Sequence, residues 1–330
     1  MYNSYYGYLH FYGRHLSFFF IIVTVYLIES QFLSNMDFYD RSVNVLIFTE
    51  TDTSYKYHDA SLLSFFTREL LWDFILTRVS NTFGVSVSSI LDFVYYFSLI
   101  VMCIYIKRNS GTFSMFLIFN PLIIDFTYSQ SRMAFAFSFL LIGMMLKARY
   151  ITFIMFLVAV SLHTSMTLYI ALYISITLVC RNYFNSSEEL CVNLTSKFFY
   201  IAVFLGVILA IVLGPFRESI LTAVNDRRAV YQAQSSSIAY MLPWLLFTFL
   251  LFTSVIKVKV KNLMGLSLIS CFIMSVFFNF YGIRFLATSL PFIIIYLASL
   301  TNYLSLFLKS MVFLIISFLM WSYWLKLDYL

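Results

Sequence analysis

The chain has 330 residues, of which 62% are hydrophobic and only 11% charged, against roughly a quarter charged in ordinary soluble domains. With a mean hydropathy of +0.88, it is expected to lie in lipid rather than water, as a helix bundle or a closed barrel, the two ways a spanning backbone satisfies its polar groups. The net charge of +6 is not a nucleic-acid signal, because orientation in the membrane decides where basic residues go.

The first apolar run, LSFFFIIVTVYLI at 16–28, is apolar on every side. That pattern means helix rather than alternating barrel strand. Glu29, Ser30 and Gln31 follow it in place of a small-x-small cleavage site, so it is expected to be a permanent span. The fold expected is all-α, a polytopic transmembrane bundle forming one integral membrane domain over 1–330. Its spans, about eleven, fall near 16–34, 88–106, 112–127, 131–146, 150–162, 164–180, 197–214, 238–256, 262–280, 284–300 and 308–326. The pair 150–162 and 164–180 also reads as one long tilted helix.

Two longer loops, 35–87 and 215–237, interrupt the spans. Within the first, apolar residues recur at helical spacing near 60–83 (Leu63, Phe66, Leu70, Phe74), with Arg68, Glu69, Asp73 and Arg78 between them. A short amphipathic helix in the membrane interface, or one covering the bundle, fits that spacing. Lys107 and Arg108, Lys147 and Arg149, Arg181, and Lys257, Lys259 and Lys261 mark alternate span ends on one side. The positive-inside rule makes that side cytoplasmic and puts the N-terminus there with Arg14. Both long loops then face outward.

The two sides differ in the kind of charge they carry. Arg41, Arg68, Arg78, Arg132, Arg217, Arg227, Arg228 and Arg284 fall outside, against only Lys56 and Lys326; the inner side is mostly lysine. Lysine is enough to set topology, whereas the planar arginine fork binds phosphate oxygens in pairs. The acids Asp52, Glu69, Asp73, Asp92, Asp125, Glu218 and Asp226 share the arginine side. They either pair with the arginines and solvate the loops or belong to a site for an anionic ligand. Arg132, His163 and Arg284 lie at or just inside outer span ends, where ionisable groups are costly and point to function. Thr164 and Ser165 can satisfy His163 if its role is structural. Cys103, Cys180, Cys191 and Cys271 have no spacing that suggests disulfides or zinc, and no metal-ligand cluster is apparent.

The stretch from Arg132 to Ser165 resembles the Wzy/EpsG-type polysaccharide polymerases. Their pattern is Arg-Gln-x-x-Ala opening a span, a basic turn, and an apolar span ending in His-x-Ser. Here it reads Arg132-Met133-Ala134-Phe135-Ala136, then Lys147-Ala148-Arg149, then His163-Thr164-Ser165. Arg284 in FYGIRF is similar to the family's later arginine, and TETDTSYKYHD at 49–59 is weakly similar to its outer Asp-x-x-x-Tyr region. Met133 replaces the usual glutamine; Gln130 is nearby on another helical face.

The resemblance implies a bacterial inner-membrane glycosyltransferase with its active site facing the periplasm. It would join undecaprenyl-diphosphate-linked O-antigen or exopolysaccharide repeat units. Arg132 and Arg284 would hold the diphosphate leaving group, with Arg227 and Arg228 as a clamp. His163 would be the base for the acceptor hydroxyl, with Glu69 or Asp52 as alternatives. Arg68, Glu69, Asp52 and Tyr281 would line the substrate site, and Trp72, Tyr231 or Tyr281 would stack on sugar rings. No metal or other cofactor and no nucleic acid is expected. The partners implied are the lipid-linked glycans, membrane lipids, a chain-length regulator and a flippase. An O-antigen ligase acting on lipid A-core is the alternative; a lipid-linked oligosaccharide flippase fits less well, because the mid-span stretches carry almost no charge.

Overall fold

The computed structural model describes residues 20–27, 33, 39–50, 69–181, 189–223 and 238–327. The chain is mostly helical, as the unbroken apolar runs predict. After helical residues 20–27 comes α1 (Tyr39–Glu50), with Asp40 in its first turn, where the helix dipole favours a carboxylate. The sequence reading has no helix at this point of the long loop. α2 runs as α-helix over Leu70–Phe74, widens to a π-helical turn over Ile75–Val79 and ends over Ser80–Phe83. It buries Leu70, Trp72 and Leu76 while exposing Phe74 and Phe83. The later part of the helix expected near 60–83 is therefore present and covers the bundle, with Trp72 against Phe135 at 6.4 Å between ring centroids. Residues 60–68 lie outside the described residues.

α3 (Val87–Ser110) is capped by Ser86, whose hydroxyl accepts the Ser89 N–H at 3.1 Å, and it carries Lys107 and Arg108 in its last turn. Gly111, at φ 92°, ends it. The stretch 112–127, expected as one span, is instead broken into a 3-10 segment (Phe113–Phe119) and α4 (Pro121–Tyr128). Proline is favoured in the first turn of a helix, where its missing N–H is not needed, and Asn120 caps the new start by accepting the Leu122 N–H at 3.0 Å.

α5 (Ser131–Met145) and α6 (Arg149–Leu162) form a close hairpin, and α7 (Met166–Arg181) follows. His163 lies between α6 and α7 in extended conformation, φ −151° and ψ 116°. The two apolar runs around it are thus two helices and not one tilted helix.

The lysine-rich segment after residue 255 departs from the all-α expectation. β1 (Glu189–Val192) pairs antiparallel with β2 (Ile256–Lys259), placing Leu190 opposite Val258 and Val192 opposite Ile256. The strict alternation in IKVK is the period-two signal of a strand. Between the strands lie α8 (Lys197–Leu213), α9 (Arg217–Ala223) and α10 (Ile238–Phe252). After them come a 3-10 turn (Val260–Leu263), α11 (Met264–Ser275), α12 (Ile283–Ala298) and α13 (Tyr303–Leu327).

α12 is the central element, buried continuously from Phe285 to Leu297. Tyr296 anchors it by accepting the Leu266 N–H at 3.0 Å and donating to the Asn262 carbonyl. α8 meets α11 through Gly206, where an added Cβ would run into the Ser267 carbonyl and lie 2.8 Å from Ser270 Cβ. Ser267 Oγ also donates to the Ala202 carbonyl at 2.7 Å. Small residues at such crossings let backbones touch.

The outside is apolar as well. Tyr150 and Phe153 on α6, Tyr200 and Phe204 on α8, Leu246 and Phe249 on α10, and Phe307 and Phe318 on α13 are all exposed. α3 and the 303–323 part of α13 are long and apolar enough to cross a membrane; α5 to α8, α10 to α12 are apolar but shorter. At the end carrying the lysines, Lys261 donates to the Met144 carbonyl at 2.9 Å and Tyr105 to Asn262 at 2.8 Å. Lys309, at the start of the span expected over 308–326, is buried within α13, and its ammonium donates to the Leu251 carbonyl, Thr253 and Ser254.

Gly206→Ala tests the α8–α11 crossing. The backbone carbonyl of Ser267 cannot move aside as a side chain would, so overpacking should cost about 1–3 kcal/mol. The measurement is the midpoint of thermal unfolding of the detergent-purified protein, expected to fall; an unchanged midpoint would show that the helices are farther apart.

Candidate functional site

At the opposite end from the lysines, Glu69 organises three segments. It immediately precedes α2 with a left-handed backbone, φ 57° and ψ 35°. That conformation costs a residue with a Cβ of the order of 1 kcal/mol or more and tends to mark functional positions. Its carboxylate is 8% exposed. Oε2 lies 2.8 Å from Arg132 Nη1, and Oε1 lies 3.0 Å from His163 Nδ1. Oε1 also accepts the Thr164 N–H and hydroxyl, each at 3.0 Å.

The sequence folds this way because α5 and α6 are helices of nearly equal length. The hairpin carries the chain away from Arg132, in the first turn of α5, and returns it to His163, just past α6. The break at His163 frees the Thr164 N–H from helical bonding, and that N–H turns to Glu69. Thr164 thus serves the carboxylate rather than the imidazole.

Burial by itself would raise the Glu69 carboxyl. The charges of His163 and Arg132, with hydrogen bonds from His163 and the Thr164 backbone, outweigh it and hold the group well below the usual carboxylate range. A carboxylate so held claims the Nδ1 proton of His163. The Ser165 N–H and hydroxyl also approach Nδ1, at 3.3 and 3.2 Å, but lie farther than Glu69 at 3.0 Å. With Nδ1–H given to Glu69, the lone pair of neutral His163 is on Nε2, which no described residue hydrogen-bonds. Burial lowers the imidazole pKa, Glu69 raises it, and Arg132 and Arg284 lower it again, leaving it below its ordinary 6.5. His163 is therefore neutral at neutral pH, with a fixed tautomer and an available base.

Arg284, in the first turn of α12, is brought toward this group by the packing of α12 on α7. Tyr169 stacks on Phe285 (5.7 Å between centroids, 12° between planes) and hydrogen-bonds Thr288 at 3.1 Å. The Arg284 guanidinium lies 3.5 Å from Asp40 and 5.4 Å from the Tyr281 ring centre. Tyr281 is 42% exposed, accessible to a ligand. Arg132 and Arg284 keep 39% and 37% of their side-chain surface. The first turns of α5 and α12 and the entry to α7 all bring positive dipole ends to this region.

The residues singled out in the sequence thus divide. Glu69 joins Arg132 and His163 directly, and Arg284 with Tyr281 forms a neighbouring group. Asp52, Arg68, Arg227, Arg228 and Tyr231 lie outside the described residues. Trp72, expected to stack on a sugar, is fully buried against Phe135 and cannot reach one. Met133 is buried apolar core, whereas Gln130 just before α5 is buried with its Oε1 unpartnered among the described residues.

Three residues gain importance only in the structure. Asp40 pairs with Arg284, and buried Arg41 pairs with Asp92, donates to the Ser88 carbonyl at 3.4 Å and covers the Tyr128 ring at 4.1 Å. The available signal was two adjacent ionisable residues beside an apolar run, together with Asp92 in a long apolar helix. Among the described residues no three His, Cys, Asp or Glu side chains gather as a metal site.

The tautomer assignment predicts a titration. His163 should gain its proton at Nε2 on acidification below pH 6.5. Glu69→Gln removes a charge that raises its pKa, so the midpoint should move further down. Nitrogen NMR of histidine-labelled protein measures both, and an upward move in the variant would reject the assignment.

No protein-family model matches the chain, and no curated protein or solved structure shows significant similarity to it.

Proposed function

We propose that this chain is a multi-pass protein of the bacterial inner membrane that joins polyprenyl-diphosphate-linked glycan repeat units at its outer face. The observation that carries this reading is the contact of Glu69 with both Arg132 and His163. It puts an oriented neutral base beside a cation, with Arg284 close by. Glycosyl transfer from a lipid diphosphate makes those demands: a base for the acceptor hydroxyl and positive donors where charge develops on the leaving group.

In this reading His163 Nε2 takes the proton of the attacking hydroxyl while Glu69 holds the imidazolium that forms. Arg132 and Arg284, half-exposed on two well-packed helices, bind the departing diphosphate, aided by the dipoles of α5, α7 and α12. Tyr281 offers a ring face to the sugar beside that diphosphate. Arg227 and Arg228 belong to the same proposal as a clamp from the second long loop, with Asp52 and Arg68 from the first.

The membrane placement, with about eleven crossings, is supported by the apolar exteriors of α6, α8, α10 and α13, which water would not tolerate on this scale. It is also supported by the segregation of lysine contacts and arginine–carboxylate contacts to different ends. The described helices shorter than about 20 residues cross in lipid by local thinning and by extension through adjacent turns.

Arg132→Ala, Arg284→Ala and His163→Ala should each abolish long glycan chains while leaving single repeat units on the lipid. Loss of a general base typically costs about 10²–10⁴-fold in rate. Gel electrophoresis of extracted glycans reads the outcome, and normal ladders from all three variants would overturn the site. A deletion strain that keeps one repeat unit on lipid A-core supports a polymerase; loss of all attached glycan assigns the chain as the ligase.

A further inference from the structure

Arg284 differs from Arg132 and Arg41 in how it is held. Arg132 shares a buried carboxylate at 2.8 Å, and Arg41 is itself buried against Asp92, Ser88 and Tyr128. Among the described residues Arg284 has one carboxylate contact, with Asp40 at 3.5 Å, both side chains being more than a third exposed. Such a pair is weak. Its Nε–H is buried with no hydrogen-bond partner among the described residues, so the guanidinium is not satisfied by Asp40. Asp125 of α4 lies in electrostatic range of both.

Asp40 cannot drift away when it loses Arg284. Its neighbour Arg41 fixes the start of α1 to α3 and α4 through Asp92, the Ser88 carbonyl and the Tyr128 ring. The Asp40 main chain is held too, its carbonyl accepting from Asn44 Nδ2 at 2.6 Å. The arrangement is a weak, water-accessible ion pair on a fixed backbone, around a cation that has an unused donor.

Resting on the proposed lipid-diphosphate site, we infer that Asp40 is an exchangeable counter-ion for Arg284, displaced when a diphosphate binds there. The carboxylate keeps the guanidinium extended and screened while the site is free. An incoming diphosphate offers two anionic groups in place of one, takes over the Arg284 donors, and leaves Asp40 to water. Asp40 is thus a positioning residue that weakens diphosphate binding and thereby favours release of the product lipid.

The test uses the full-length protein in lipid nanodiscs, with two probes: inorganic diphosphate and undecaprenyl diphosphate. Asp40→Asn removes the competing charge at nearly constant shape, and Asp40→Ser is a second variant should the first fold poorly. Either should tighten binding of both probes about two- to fivefold, the size of an exposed ion pair. In an Arg284→Gln background the same substitutions should have no effect, which a merely structural role for Asp40 would not produce. Unchanged or weaker binding after Asp40 substitution, the same tightening without Arg284, or no binding of either probe to the wild-type chain would overturn the inference. Tightening of both probes in a protein whose His163→Ala variant still makes normal glycan ladders would keep the counter-ion and reject the polymerase.

Discussion

A single ionised carboxylate, nearly out of water, ties together the business end of this molecule. Glu69 closes the loop before α2 onto the first turn of α5 and onto the break between α6 and α7. A buried carboxylate is stable only with several strong donors, and here Arg132, His163 and Thr164 supply them. The dependence runs both ways. Without the carboxylate, Arg132 would lose its closest anion and buried His163 the group that fixes its tautomer. Without the helix break at His163, the Thr164 N–H would be spent inside a helix.

The same interaction sets the chemistry. A histidine pinned through Nδ1 to an anion keeps its basic lone pair on Nε2, and burial, aided by two nearby arginines, keeps the ring neutral. The arginines do not form a bare positive patch, since Arg41, Arg132 and Arg284 each face a carboxylate. In the proposed reading this pairing separates roles. Arg41 builds the wall, Arg132 shares its charge with the base-orienting carboxylate, and Arg284, the most loosely held, is the one a ligand can take.

Legibility in the sequence followed the range of the interaction. Arg132 and His163 stand out in the sequence as ionisable residues at the ends of apolar runs, where charge is costly, and the runs between them place both at the same end. Asn120-Pro121 carries the signal for a helix start within 112–127, but the apolar content of the stretch reads as one continuous span. The β1–β2 pair was marked by alternation in IKVK, but the lysines there read first as a topology signal. Lys309 reads in the sequence as one more lysine marking the inner end of a span, whereas only the structure shows its side chain buried and its ammonium satisfied by the end of α10 and the residues after it. Trp72 was mistaken for a ligand platform because aromatic content says nothing about which way a ring faces.

The sequence by itself determined that the chain is mostly helical, that apolar faces look both inward and outward, and that most of the lysines are set apart from an arginine-rich group that includes Arg132 and Arg284. Those properties are local or additive: composition, period and charge counting suffice for them. Only the tertiary structure decided that Glu69, one of many acids on its side, is the partner of both Arg132 and His163. Asp40 and Arg41, adjacent in sequence, likewise received opposite duties only on folding. Pair contacts between distant segments depend on how α5, α7 and α12 pack against one another, and single-residue spacing carries no record of that packing.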